Sequence, residues 1–328
     1  MPPANITRRC LMATAAAAPG LARAQPAVPP PVRFVVGAGL AGGVYYPLGI
    51  EVAKILSRDL PGILATMQAT DGGVSNIEML ADGRAGLGFS QVDSAVTAFE
   101  GDGRFKGKPV AVRALAVLYA NRMQVVTARG ANIRALMDLG GKRVSTGAPG
   151  SATENMAFRL LMAAGLDRNK DFRSRERLTL LDSNIALKDG KIDAYFFCSG
   201  IPNSAIRDLG ASPGVELALV DHADLVERVV ARHGPVYFPD TIPADTYPGQ
   251  HTENWQVSVA NVLLVMDTMP SAQAAAILGA LWAARADLVQ AHAEARNFVL
   301  GGQRSAAAGI PWHPAAEAFW QAQGAQLA

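Results

Sequence analysis

The sequence predicts an α/β fold in two lobes, and three patterns carry this prediction. Short apolar runs alternate with amphipathic helical stretches, which is typical of α/β proteins with a largely parallel sheet. The alternation starts again beyond Asn121, so the chain holds two series of strands and helices. β-rich segments at 120–125 and 255–266 join the two series. Two such crossovers side by side are a natural hinge, so we expect the lobes to enclose a ligand cleft.

Each element is predicted from its own composition and periodicity. Strand-like apolar runs occur at 33–37, 63–69, 87–90, 115–119, 123–128, 143–146, 178–181, 192–197 and 255–266. Helical patterns occur at 47–60, 75–82, 93–100, 133–139, 153–164, 185–189, 204–209 and 271–299. The first helix is placed at Pro47, because proline is favoured in a first turn and excluded from a helix interior. Lobe one is expected to comprise 33–121 with 266–328, and lobe two 122–265.

Residues 1–24 have the composition of an export signal. Arg8 and Arg9 precede an apolar, alanine-rich stretch at 11–21. Ala22-Arg23-Ala24 then supplies the small-x-small pattern of a cleavage site. The paired arginines leave both the general and the twin-arginine export routes open.

A proline-rich spacer at 25–32 follows this segment and disfavours the alternative, a buried alanine-rich helix. If residues 1–24 are removed, three arginines and no acid are lost, so the formal net charge changes from +2 to −1. Such a chain lacks the concentrated basic face that nucleic-acid binding needs. Cys198 is then the only cysteine, which excludes an intramolecular disulfide. We expect a soluble, periplasmic, monomeric protein that begins at or near Gln25 and binds no nucleic acid.

The segment Gly37-Ala-Gly39-Leu-Ala-Gly42 matches the glycine fingerprint of dinucleotide-binding folds. In those folds the helix starts within the glycines, which would place Pro47 in the helix interior. They also need an acid at the end of the second strand, where Gln68 stands in this chain. We therefore interpret the glycines as an open loop, and we expect no cofactor.

Six short motifs, three of them in two parts, follow one another along nearly the whole chain beyond the export signal. They are GGVYYPLG at 42–49, SQVD at 90–93, GKRV at 141–144 with GAPGS at 147–151, KDGKIDA at 188–194 with GIPN at 200–203, IPA at 242–244 with YPGQ at 247–250, and GIPWHP at 309–314. Together they resemble the TAXI proteins, the solute-binding subunits of one branch of the tripartite ATP-independent periplasmic (TRAP) transporters. The resemblance implies a type II periplasmic binding protein fold and a small organic acid or amino acid as ligand. It also implies delivery to TRAP membrane subunits powered by an ion gradient.

The loops at the strand ends hold the candidate ligand contacts. In open α/β sheets ligands bind beyond the C-terminal strand ends, where helix N-termini present unpaired N–H groups. Those groups and the positive end of the helix dipole suit a carboxylate, so we expect a small carboxylate-bearing ligand. The predicted ligand-binding residues are Gly43, Tyr46, Thr70, Gly72, Gly73, Ser75, Ser90, Gln91, Thr146, Gly147, Ser151, Thr153, Ser199 and Gly200.

Some polar residues in these loops also fit a purely structural role. Ser75 and Ser151 each precede a glutamate by three residues, the capping-box pattern in which a serine bonds to its own helix. Capping leaves other N–H groups free, so both roles can coexist. Asp93 begins a predicted helix and fits an N-cap better than a ligand contact. Asp71 adds an acid that disfavours a dicarboxylate and could pair with an ammonium group instead.

No catalytic or metal site is predicted. The five histidines show no metal-ligand spacing, and the sequence has neither a nucleophile-elbow nor a P-loop motif. Cys198 ends an apolar run and is interpreted as a core residue. Two other functions stay open: an enzyme on the same two-lobed scaffold, and a periplasmic sensor that presents its ligand to a membrane receptor. Turnover of a ligand would identify the enzyme, and a neighbouring histidine kinase gene would identify the sensor.

Overall fold

The computed structural model describes residues 31–328. The predicted export signal at 1–24 and nearly all of the spacer at 25–32 lie outside the described residues, so both stay predictions. The described chain forms one ten-stranded sheet covered by helices. The strands are β1 Val32–Gly37, β2 Ile63–Gln68, β3 Leu87–Gln91, β4 Val112–Ala128, β5 Arg143–Ser145, β6 Ser174–Glu176, β7 Ala194–Ser199, β8 Leu217–Leu219, β9 Tyr237–Ile242 and β10 Asn254–Met266.

The sheet has a parallel block at each end and antiparallel strands between them. Its order is β2-β1-β3-β10-β4-β7-β5-β6, and β8 and β9 pair with β4 and β10 outside this path. Parallel pairs join β2, β1 and β3 at one end, and β7, β5 and β6 at the other. β10 and β4 run antiparallel to each other and to β3 and β7. Two parallel blocks joined by two long strands confirm the predicted two-lobed α/β architecture.

β4 and β10 are the crossovers between the two blocks. β4 gains β7 as a second neighbour from Arg122 onward. β10 pairs with β9 up to Val259 and with β3 from Asn261. Both strands change their neighbours at the same level of the sheet, because Arg122 of β4 lies opposite Ser258 of β10. The predicted lobe boundaries remain a proposal, which this change of neighbouring strands supports.

Eleven α-helices and several short 3-10 helices complete the described chain. The α-helices are α1 Tyr45–Asp59, α2 Gly73–Ala81, α3 Val92–Glu100, α4 Ala152–Ala163, α5 Leu180–Lys188, α6 Ser204–Gly210, α7 Val226–His233, α8 Ser271–Ala283, α9 Arg285–Ala291, α10 Ser305–Ala308 and α11 Pro314–Ala322. The 3-10 helices are Gly103–Phe105, Arg129–Ala131, Leu136–Leu139, Ala223–Leu225, Ala293–Asn297 and Leu300–Gly302. Within residues 31–328, a membrane-spanning length of apolar helix arises only if the bent pair α8 and α9 is counted together.

The start of α1 agrees with the expected place of Pro47. The helix begins at Tyr45, so Pro47 lies in its first turn, where a missing backbone N–H is tolerated. Gly37 ends β1, and Gly39, Gly42 and Gly43 lie in the loop between β1 and α1. The strand end and the helix start are therefore separated, unlike the tight turn of a dinucleotide fold.

The strand predicted at 178–181 is wrong. The strand of this region is β6, and α5 already begins at Leu180. Thr179 is the N-cap of α5, and its side-chain oxygen accepts a hydrogen bond from the backbone N–H of Asp182 at 3.3 Å. An N-cap of this kind stabilises a helix start, and it outweighs the short apolar run that suggested a strand.

The long helix predicted at 271–299 is divided. α8 ends at Ala283, α9 follows it, and a 3-10 helix begins at Ala293. Trp320 of α11 is fully buried beside this region, and its ring packs edge-on against Trp282 and Phe298. The residue at the break between α8 and α9 is Ala284, and alanine favours helix. The break therefore cannot be predicted from the sequence pattern.

Candidate functional site

A cavity of about 140 Å³ lies where the strands of both parallel blocks end. Its walls come from the loops after β1, β2, β5 and β6, from the last residues of β3 and β7, and from β4 near the crossover. In this type of sheet the C-terminal strand ends and the following helix N-termini meet at one edge. The cavity therefore lies where the sequence predicts ligand binding.

The N-termini of α1 to α5 all contribute to the wall. One lining residue from each is Tyr45, Gly73, Gln91, Thr153 and Leu181, where Gln91 is the N-cap of α3. The first N–H groups of a helix have no partner within the helix, and the helix dipole makes this end positive. Five such ends around one cavity favour an anionic group without any cationic side chain.

The α2 end is capped by glycine. Gly72 occupies the N-cap with a φ of 110°, and no side chain accepts from the first turn. Gly73 follows so close to β3 that a Cβ on it would lie 2.6 Å from the Ser90 Oγ. Only glycine fits at both positions, so the backbone itself forms this part of the wall.

A half-buried threonine and a fully buried asparagine hold the α2 loop in place. The Thr70 hydroxyl donates to Asn76 Oδ1 at 2.7 Å and accepts from the Gly72 N–H at 3.0 Å. The Asn76 amide donates to the carbonyl oxygens of Ala38 and Phe89, at 2.7 and 2.8 Å. These bonds fasten the α2 end to the ends of β1 and β3.

The α4 end is closed by its own side chains. Ser151 is the N-cap and accepts from the Glu154 N–H at 3.1 Å, as the capping interpretation expects. The Glu154 carboxylate accepts from the Gly150 N–H at 2.7 Å and not from Ser151, so the reciprocal half of the capping box is shifted by one residue. Burial alone would raise the pKa of Glu154, but the hydrogen bonds from Arg177 and Gly150 lower it below 4.5.

The charge of the lining is low. Asp71 is the only carboxylate among the lining residues of the described chain, and no lysine, arginine or histidine lines the cavity there. Burial raises the pKa of Tyr45, of Tyr119 and of the Cys198 thiol, so all three are neutral near pH 7. A ligand's negative charge would therefore face helix ends and no fixed cation.

Most of the remaining wall is apolar. Leu178, Leu180 and Leu181 project from the start of α5, and Phe197 from β7. Leu40 lies on the loop after β1 and is 43% exposed, at the rim of the cavity. The apolar part of a ligand would bind favourably here, because binding removes its apolar surface from water.

The lining contains part of the predicted set. The predicted residues that line the cavity are Gly43, Gly72, Gly73, Gln91, Gly147, Ser151, Thr153 and Ser199. The predicted residues that lie outside this lining are Tyr46, Thr70, Ser75, Ser90, Thr146 and Gly200. Ligand contact by either group stays a prediction. The positions of the second group in their strands, helices and loops explain why they lie outside the lining.

Some of the predicted residues that lie outside the lining hold lining residues in place. Thr146 continues the β5–β6 pairing, because its N–H donates to the Glu176 carbonyl at 3.0 Å. Gly200 leaves space for a lining residue, since a Cβ on it would lie 2.8 Å from the Tyr119 ring. Tyr46 is next to Tyr45 on α1, and successive helix residues point about 100° apart, so only Tyr45 faces the cavity.

Two predicted N-caps are wrong. α2 begins at Gly73, so Ser75 is already inside the helix and cannot cap it. Gln91 is the N-cap of α3, so Asp93 lies in the first turn. Asp93 is buried, pairs with Arg159 of α4 at 3.0 Å and accepts from the Tyr237 hydroxyl at 2.8 Å. It therefore ties α3 to α4 beside the cavity.

The sequence-based prediction missed the contribution of β4. Tyr119 and Asn121 line the cavity from the crossover segment, whose place was predicted but whose side chains were not considered. Cys198, interpreted as core, is buried and also lines the cavity. A polar residue inside a mostly apolar strand, such as Asn121, is the sequence feature that could have indicated the site.

The fold and the cleft define a two-lobed α/β protein of the periplasmic binding protein type. The chain belongs to the NMT1-like family, whose model matches residues 36–324. This assignment is coarser than the TAXI resemblance, which stays a prediction.

Solved structures are similar to this chain at low sequence identity. The periplasmic aliphatic sulphonate binding protein SsuA from Escherichia coli is 17% identical with a TM-score of 0.50, over 89% of this chain and 83% of that chain. An ancestral arginine-binding protein bound to arginine is 15% identical with a TM-score of 0.49, over 81% of this chain and 98% of that chain. The first of these similarities supports a common fold.

Proposed function

We propose that this protein is an extracytoplasmic solute-binding protein that captures a small carboxylate-bearing ligand and delivers it to membrane transport subunits. The observation that carries the proposal is the convergence of five helix N-termini on one cavity in a chain of the NMT1-like family. The arrangement favours binding over nucleophilic catalysis, because Cys198, the one thiol in the described lining, is buried and burial raises its pKa.

The ends of α2 and α4 are the proposed carboxylate site. In both, backbone N–H groups of lining residues lie at the first turn, at Gly73 and at Thr153. Backbone amides with an aligned helix dipole bind carboxylates well. The two helix ends would therefore take the place of a cationic side chain, which the described lining lacks.

Ligand capture would proceed by closure of the lobes. Asn203 of the second block donates from Nδ2 to the Gly42 carbonyl of the first block at 2.8 Å. The Asp93–Arg159 pair makes a second contact of this kind, at 3.0 Å. Both belong to a closed arrangement, and a hinge at β4 and β10 can open it. Small-angle scattering should show a smaller radius of gyration with saturating ligand, and an unchanged profile would favour a rigid pocket.

The six TAXI-like motifs support TRAP membrane subunits as the partner. Purified protein added to proteoliposomes that contain such subunits should then drive uptake with an ion gradient and without ATP. Uptake that requires ATP would assign the protein to an ATP-driven permease instead.

Native mass spectrometry of the purified protein tests the binding function itself. We expect a small acid that stays bound under native conditions and is released on unfolding, with a dissociation constant measurable by calorimetry. A protein that retains no small molecule and binds none of a panel of carboxylates would contradict the proposal. Conversion of the retained ligand into a product would indicate an enzyme.

A further inference from the structure

Three buried polar side chains in the cavity lining each carry one atom without a hydrogen-bond partner in the described residues. Gln91, Tyr119 and Asn121 are only 3%, 4% and 3% exposed. Their atoms Oε1, OH and Oδ1 have no hydrogen-bond partner within residues 31–328. Buried polar atoms in folded proteins are almost always hydrogen-bonded, because leaving one unpaired is costly. Three such atoms around one cavity indicate a group that is bound there.

The orientation of Asn121 is fixed by its neighbours. Its Nδ2 donates to Asn261 Oδ1 at 2.9 Å, and the Tyr45 hydroxyl donates to the same oxygen. Asn261 is itself held, because its Nδ2 donates to the Tyr119 carbonyl at 3.2 Å. Turning the Asn121 amide over would bring two oxygens together. Asn121 therefore has an unpaired carbonyl oxygen, a pure acceptor, beside the cavity.

The partner of this cluster must donate hydrogen bonds. A second carboxylate on the ligand would face the amide oxygens of Asn121 and Gln91 with no cation in the described lining to offset its charge. Asp71, also in the lining, would repel it further. An ammonium group can instead donate to both amide oxygens and to the Tyr119 hydroxyl oxygen. A hydroxyl group can donate to one amide oxygen and accept from the Tyr119 hydroxyl.

We propose that Gln91, Tyr119 and Asn121 bind a hydrogen-bond-donating group of the ligand, and that the ligand is an amino- or hydroxy-substituted monocarboxylate with an apolar body. Dicarboxylates are excluded. The inference rests on the proposed function, since the single carboxylate occupies the helix ends and the apolar body contacts the leucines of α5 and Phe197.

A ligand series on one carbon skeleton tests the donor requirement. The probes are L-leucine, 2-hydroxy-4-methylpentanoate, 2-oxo-4-methylpentanoate and unsubstituted 4-methylpentanoate, with L-glutamate as the dicarboxylate. Calorimetry should show the amino or hydroxy compound binding at least about tenfold more tightly than the oxo and unsubstituted acids, and than L-glutamate. Tighter binding of the oxo acid or of L-glutamate would overturn the inference, as would the absence of binding by every member.

Tyr119→Phe and Gln91→Met test the residues. Each removes a polar atom that is unpaired in the described chain, so the melting temperature of the ligand-free protein should stay the same or rise. The affinity for the tightest probe should fall about tenfold. Tyr195→Phe is the matched control, because the Tyr195 hydroxyl already donates to Asn184 Oδ1 at 2.6 Å and lies outside the lining. It should lower the melting temperature and leave the affinity unchanged.

A Tyr119→Phe protein that is less stable but binds normally would assign the hydroxyl a structural role and overturn the inference. Failure of the inference is distinguishable from failure of the proposed function. In the first case native mass spectrometry still finds a ligand, which is a dicarboxylate or lacks a donor group. In the second case it finds none.

Discussion

The α2 and α4 helix ends face the same cavity but are built in opposite ways. The α4 end is closed by side chains, since Ser151 accepts from Glu154 N–H and the Glu154 carboxylate holds Gly150 and Arg177. The α2 end has a glycine N-cap and no side-chain acceptor in its first turn. Its loop is instead held from behind by Thr70.

The two helix ends contribute different properties to the cavity. At α4 the side chains accept hydrogen bonds from backbone N–H groups and hold the loop, so this end is rigid and has fewer free donors than the α2 end. At α2 the glycines let a ligand approach the backbone directly, so this end supplies donors. Substitutions at the two ends should therefore separate effects on stability from effects on affinity.

Gly73→Ala should have the largest effect. The added Cβ would lie 2.6 Å from the Ser90 Oγ and 3.1 Å from its Cα, and the backbone of β3 cannot move away cheaply. We expect a loss of about 2 kcal/mol of stability from overpacking, and a fall in affinity of at least about thirtyfold. Urea unfolding and calorimetry measure the two quantities.

Gly279→Ala is the control for that substitution. Gly279 lies within α8, and no atom outside its own helix lies within 4 Å of an added Cβ. Alanine there should raise stability by roughly 1 kcal/mol and leave the affinity unchanged. Equal binding by the Gly73→Ala protein and the wild type would show that the α2 end is not a ligand site.

Ser151→Asp should weaken binding at the α4 end while preserving the fold. Aspartate is itself a good N-cap, but its charge would stand beside the proposed carboxylate. We expect a fall in affinity of about tenfold or more, equal to ~1.4 kcal/mol. Ser151→Asn, a neutral cap of the same shape, should bind normally. Unaltered affinity in the aspartate variant would place the ligand's acid group elsewhere.

Ser151→Ala and Ser75→Ala separate a true cap from a serine that only matches the pattern. Ser151 accepts from the Glu154 N–H, whereas Ser75 lies inside α2 and caps nothing. We expect Ser151→Ala to lose about 1 kcal/mol of stability and Ser75→Ala to lose almost none. Equal losses in urea unfolding would contradict this distinction.

The smallest expected effect is a pH dependence at the α4 end. Because the pKa of Glu154 is lowered below 4.5 in the folded protein, its contribution to stability is complete above pH 4.5. The contribution is lost as the pH falls through the lowered pKa, when the carboxylate that bonds Arg177 and Gly150 is protonated. Unfolding from about pH 6 to about pH 3 should therefore show a shallower loss in Glu154→Gln than in the wild type. Identical slopes would show that this ion pair adds nothing to stability.

Local patterns predicted the elements that have strong local causes. Pro47 marked the first turn of α1, and Ser151 marked the N-cap of α4, because both residues act through the backbone of their own segment. The errors arose where two local causes compete. At 178–181 an apolar run suggested a strand, but the Thr179 cap made a helix. Ser75 carried the capping pattern, but the glycines started the helix earlier.

The amino-acid sequence alone predicted the two-lobed α/β architecture and most of the loops that surround the cavity. These follow from periodicity and strand-end glycines, which act over short distances along the chain. Which side chains face the cavity depends instead on how the helices and strands pack together. Tyr45 faces it and Tyr46 does not, because a helix turns about 100° per residue and packing sets its rotation. The unpaired group at Asn121 depends on Asn261, 140 residues away along the chain, and no local pattern can encode such a contact.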